Sequence, residues 1–168
     1  MLKLLGYEMS EVLAYIGPGL AEALASIGST VGIYKAVAAG IPIISEDPAQ
    51  RGRVFALAFL PATQTMVYGF IYMLMMYSAF LPSIYSKYHS SIPLNIAGAV
   101  FGVSLFVGFA ELVSAWMQGR VCADGAAQLI KSRGAVFAPT IILAAYEELF
   151  GILGMVFGIL MASIIASW

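Results

Sequence analysis

Charge is what this chain most conspicuously lacks. Only 10% of its 168 residues are Asp, Glu, Lys or Arg, while 61% are hydrophobic; a soluble domain carries about 25% charged residues. Such a chain cannot cover a water-facing surface. Its net charge of −1 offers no electrostatic footprint for nucleic acid. The single cysteine, Cys122, excludes an internal disulfide, and one histidine, His89, leaves no Cys/His cluster for zinc or iron. No Gly-rich loop ending in Lys-Ser/Thr is present, so phosphate-loop nucleotide hydrolysis has no seat here and the chain is expected to be non-catalytic.

What is present is uninterrupted apolar sequence. No charge occurs from Val54 to Ser86 or from Ser90 to Ala110, and from Gly134 to Trp168 the only charges are Glu147 and Glu148. A helix needs about 20 apolar residues to cross the hydrocarbon. Each of these runs is long enough. A fourth span, over roughly Val12 to Ala39, carries Glu22 and Lys35 but is otherwise rich in Ala, Gly, Ile and Leu. The fold expected is an all-α membrane protein with four transmembrane helices. Residues 1–10 read as a lead-in, because Lys3 is followed by Glu8 and Glu11 and the apolar stretch continues past Gly17-Pro18-Gly19, unlike a cleaved secretory signal.

The basic residues orient the spans. Lys35, Arg51, Arg53, Arg120, Lys131 and Arg133 lie toward one side, against Lys3 and Lys87 on the other. The positive-inside rule makes loops 40–53 and 119–135 cytoplasmic and both termini external. The chain also repeats itself: VFALAFLPATQTMVYGF, from Val54, and VFAPTIILAAYEELFGILG, from Val136, each follow a basic loop. The division expected is a first hairpin over 11–81, an external loop over 82–93 and a second hairpin over 94–168, in tandem and with the same orientation. Helix one carries Ala21, Ala25, Gly28 and Gly32, and helix three carries Gly98, Gly102, Gly108, Ala115 and Gly119. Small residues let membrane helices approach closely. An inner layer of helices one and three, under an outer lipid-facing layer of two and four, is the division that a ring of protomers would produce.

Ionisable and amide groups at membrane depth are functional candidates by default. They are Glu22, Gln64, Glu111, Gln118, Glu147 and Glu148. Glu148 falls near mid-depth of helix four, and Gln64 holds the corresponding place in helix two, just after Pro61 and Thr63. A helical proline frees a carbonyl, so oxygens near Leu60, Thr63 and Gln64 gather at one level. One carboxylate with amide, hydroxyl and carbonyl oxygens suits a hard monovalent cation and holds too few acids for calcium or magnesium. Interhelical hydrogen bonding is the other role open to Gln64 and Gln118. Glu22 and Glu111 are expected to face water in a lumen or to cap a packing contact. Glu147 and Glu148 point about 100° apart, and periodicity alone does not choose between them.

Three motifs resemble one family. LPATQ at Leu60–Gln64, QGRV at Gln118–Val121 and EELFGILG at Glu147–Gly154 are similar to the proteolipid (K or c) subunit of V-type and A-type rotary ATPases, over most of the chain. That resemblance implies a homo-oligomeric rotor ring in the cell membrane, turning against a stator subunit and joined to a central stalk. It selects Glu148 as the ion-carrying carboxylate. It implies a sodium ion held by the Leu60 carbonyl, Thr63, Gln64, Gln118 and Glu148, with Tyr68 locking the glutamate; a proton is the alternative ion. Two departures stand out. The spacing from Gln64 to Tyr68-Gly69 is one residue longer than in the sodium-type pattern, which displaces Tyr68 on a regular helix. Glu147 is an acid outside that pattern.

Overall fold

The computed structural model describes residues 3–4, 7–89 and 91–168, with side chains from Glu8 onward. Most of the lead-in expected over 1–10 lies outside the described residues. Within it, Lys3–Leu4 pairs antiparallel with Tyr7–Glu8. Four long helices follow: α1 (Met9–Glu46), α2 (Pro48–Lys87), α3 (Leu94–Ala127) and α4 (Phe137–Ser167). Each is long and apolar enough to cross a membrane, so the chain is an all-α, multi-pass membrane protein.

The helices overrun the bilayer. At about 1.5 Å per residue, α1 is nearly twice as long as the roughly 30 Å hydrocarbon layer. The connection expected over 40–53 therefore shrinks to Asp47, since α1 persists to Glu46 and α2 opens at Pro48. Asp47 caps this turn: its carboxylate accepts from the Ala49 N–H at 3.0 Å and from Gln50 Nε2 at 2.9 Å. Likewise α2 runs on to Lys87, which confines the link between the hairpins to the residues before Leu94. The turn between α3 and α4 reverses through Arg133 and Gly134, both with positive φ. The Arg53 guanidinium lies over Gly134, 2.7 Å from where a Cβ would stand, and so joins the two turns.

The most extensive interface is between α1 and α3, which run in the same direction. Small residues make it possible. A Cβ on Gly28 would stand 2.6 Å from the Leu112 Cα, and Gly119 packs directly on Gly32. Large apolar side chains face outward on all four helices, among them Ile27 and Tyr34 of α1, Phe55 and Phe59 of α2, Phe106 and Phe109 of α3, and Phe150 and Phe157 of α4, so the division into an inner and an outer layer is not visible in the single protomer.

Helix α2 is not a regular α-helix. It tightens into a 3₁₀ turn at Leu60–Ala62, then widens into π-helix at Gln64–Gly69 and again at Met76–Phe80. The buried positions explain why. They fall at Val54, Leu57, Pro61 (with Ala62 beside it), Gln64, Gly69, Tyr72, Met76, Leu81 and Ile84. Steps of three and four residues keep one face of an α-helix inward. The two steps of five, Gln64 to Gly69 and Met76 to Leu81, coincide with the π segments, where one extra residue is bulged out.

This register makes a paired prediction. Deleting Met66, an exposed residue inside the first π segment, should leave a regular helix in phase and preserve oligomer assembly. Deleting Phe55, which is exposed in the regular segment Arg51–Phe59 and precedes both π segments, should turn Val54 and the turn at Asp47 out of register with α1 and reduce assembly on native gels.

Candidate cation-binding site

Helices α2, α3 and α4 converge on a polar cluster. Its first part is local to α2. Pro61 has no N–H, and the 3₁₀ turn brings the Leu60 carbonyl to Thr63, which donates to it from its backbone N–H and, at 2.9 Å, from its hydroxyl. The same hydroxyl is 3.1 Å from Gln64 Oε1. The second part crosses between helices. Gln64 Nε2 donates to Gln118 Oε1 at 3.1 Å and to Ser114 Oγ at 3.0 Å. Gln118 Nε2 reaches the Ala144 carbonyl at 3.2 Å and Glu148 Oε2 at 3.4 Å. Tyr68 donates its hydroxyl to Glu148 Oε1 at 2.9 Å.

Leu60, Thr63, Gln64, Gln118, Glu148 and Tyr68 are thus neighbours, although they come from three helices. Gln64 and Gln118 are fully buried, whereas Glu148 keeps partial exposure. The displacement of Tyr68 expected from its spacing does not occur. The π-helix over Gln64–Gly69 absorbs the extra residue and delivers the hydroxyl to the carboxylate.

Glu147 is not among them. Its side chain lines a groove between α3 and α4 walled by Phe106, Val113, Phe150 and Phe157; only its backbone joins the cluster, accepting from Ser114 Oγ at 2.7 Å. Ser114 is the member that the sequence reading missed. It lies four residues before Gln118, on the same face of α3, and that spacing was the available signal. Its counterpart in the first hairpin is Ser29, which meets Thr65 Oγ1 of α2 at 2.7 Å.

Glu111 departs from expectation. It does not face water: it has no exposed surface, and among the described residues neither carboxyl oxygen has a hydrogen-bond partner. Glu22 is half-buried, and its Oε2 is buried against Gly69 of α2, also without a partner. Among the described residues no group of three or more His, Cys, Asp or Glu side chains could hold a metal ion. The cluster's chemistry is accordingly that of one carboxylate with neutral oxygens.

A protein-family model for the C subunit of ATP synthase matches the chain twice, over residues 16–76 and 101–161. The two matches are offset in step with Ser29 and Ser114. The chain is 30% identical, over 150 residues, to the V-type sodium ATPase subunit K of Enterococcus hirae; the match covers 89% of this chain and 90% of that protein. It is 27% identical over 150 residues to the A-type ATP synthase subunit K of Methanocaldococcus jannaschii, covering 89% of this chain and 61% of that longer protein.

Ser114 provides the test of the cluster's structural weight. Ser114→Ala removes two hydrogen bonds and leaves the Glu147 carbonyl without this donor. It should lower the thermal stability of the purified oligomer by about 1–3 kcal/mol per protomer, as read from its melting in detergent.

Proposed function

The chain belongs to the family of the ATP synthase C subunit and is a proteolipid ring subunit, and from that premise we propose that it is the sodium-carrying rotor subunit of a V/A-type rotary ATPase. The observation that supports this reading is the linkage of Thr63, Gln64, Gln118, Tyr68 and Glu148 through hydrogen bonds across three helices. The ligands would be the Leu60 carbonyl, the Thr63 hydroxyl, the two glutamine amides and the Glu148 carboxylate. Sodium prefers such oxygens, and one carboxylate balances its single charge. A proton needs only the carboxylate in a dry pocket, so the neutral oxygens favour sodium over the proton alternative. The relative named for sodium transport agrees with this choice.

The mechanism follows from the cost of charge. A bare carboxylate in hydrocarbon costs a few kcal/mol or more, so Glu148 can cross the lipid only with its ion bound. It would release the ion beside a cation of the stator subunit and reload from an aqueous half-channel. Tyr68 steadies the carboxylate in between. For the ion to enter, the Thr63 hydroxyl must turn from the Leu60 and Gln64 oxygens and present its lone pairs. Because Gln64 and not an acid stands in the first hairpin at the place that corresponds to Glu148, each protomer carries one exchanging ion. Fewer ions per turn require a larger driving force for synthesis, so the complex is expected to run as an ATP-driven pump, with nucleotide hydrolysis in its other subunits. In the cell membrane both termini would be external, with the turns near Asp47 and Gly134 toward the cytoplasm and the stalk.

Carbodiimide labelling of the purified oligomer tests the assignment. Label should map to Glu148 and be slowed by sodium at fixed pH. Protection by alkaline pH alone would transfer the site to protons, and label confined to Glu147 would overturn the carrier. Tyr68→Phe deletes a hydrogen bond to a charged group, worth about 1.5–3 kcal/mol, and should raise the sodium needed for half-protection roughly tenfold or more. Gln64→Ala or Gln118→Ala should weaken protection as well.

A further inference from the structure

One acid at membrane depth has no part in the proposed sodium site. Glu111 shares a face of α3 with Ser114 and Gln118, and its carboxyl group points at α4 where that helix has no side chains. Its Oε2 lies 2.8 Å from where a Gly151 Cβ would stand, and its Oε1 lies 3.8 Å from the corresponding point at Gly154. Ser114 Oγ and the aliphatic Cγ of Gln64 border the Gly151 point too, at 3.1 and 3.3 Å. The carboxyl group therefore occupies a notch formed by two glycines. It is fully buried, and among the described residues no donor, cationic or neutral, meets either oxygen.

The ionisable groups nearest it are Glu22 from α1 and Tyr68 from α2, while α4 meets it with Gly151 and Gly154. None of them is a cation. An ionised carboxylate here would give up its hydration with nothing in return, a cost that proteins avoid by pairing or neutralising the group. Sodium would find only the carboxyl oxygens and one hydroxyl, too few to replace its water. A proton needs nothing beyond the carboxyl group itself. Once protonated, Glu111 is neutral, and its burial no longer calls for a counter-charge.

We propose that Glu111 is a second cation site of the protomer, specific for a proton, which it retains while the ion on Glu148 exchanges. The proton is retained because α4 shields Glu111, whereas Glu148 keeps partial exposure. Only the contrast with Glu148 rests on the proposed function.

Infrared spectroscopy of the purified oligomer at neutral pH and saturating sodium tests this. The expected result is a protonated-carboxyl band that disappears in Glu111→Gln, while that variant assembles and binds one sodium per protomer within about threefold of the normal affinity, since one neutral group replaces another. Glu148→Gln should lose sodium binding and keep the band. An unchanged carboxyl band in Glu111→Gln overturns the proposal. So does a fall from two sodium ions per protomer to one, which would make Glu111 a metal ligand. If Glu111→Gln does not assemble, Glu111→Asp keeps the acid: the band should shift in frequency, and an unshifted band rejects the assignment. Sodium binding that survives Glu148→Gln would sink the carrier reading alone.

Discussion

Hydrocarbon gives a carboxylate neither water nor counter-ions, so an acid at mid-membrane persists only where the protein or a bound cation matches its charge. The placement of every polar group in this chain's interior answers to that constraint. Glu148 receives one donor from α2 and one from α3, and so those helices must meet at a single level of α4. Their approach depends on the small residues that seat α1 on α3, where Gly28 rests on Leu112 and Gly32 on Gly119. In lipid such contact takes the place of the hydrophobic drive that would assemble a soluble bundle.

The interior also shows how a polar network behaves when water cannot repair it. Both amide groups of Gln64 and Gln118 are engaged, and the hydroxyls of Thr63 and Ser114 each serve more than one neighbour. A network satisfied this fully is rigid, and losing one member leaves several others unpaired. Glu111, a short distance along α3, has no share in these bonds. The contrast between two acids on neighbouring helices comes from what surrounds them: side chains that donate around Glu148, and bare glycine backbone against Glu111.

Much of the fold was legible in the sequence, because span length and the absence of charge are properties of the chain itself. Helix count, duplication and the candidate residues at Gln64, Gln118 and Glu148 could all be read from composition, spacing and motif. What was not legible depended on packing. Glu111 carries the same charge in the sequence whether it faces a lumen or a glycine notch, and only the position of Gly151 distinguishes the two. Ser114 is one small hydroxyl residue among many in a Gly/Ala-rich helix until Gln64 lies opposite. The connection at Asp47 was overestimated because the helices extend past the apolar stretches that mark them.

The wide turn at Gln64–Gly69 has a consequence for how such chains are compared. A one-residue insertion would ordinarily rotate everything downstream by about 100°, yet Tyr72 and Met76 stay buried and Tyr68 still meets Glu148. The bulge confines the change in phase to a single turn. Lineages of this helix can therefore gain or lose a residue without refitting the bundle, and aligning them by residue count would assign the tyrosine's task to the wrong neighbour.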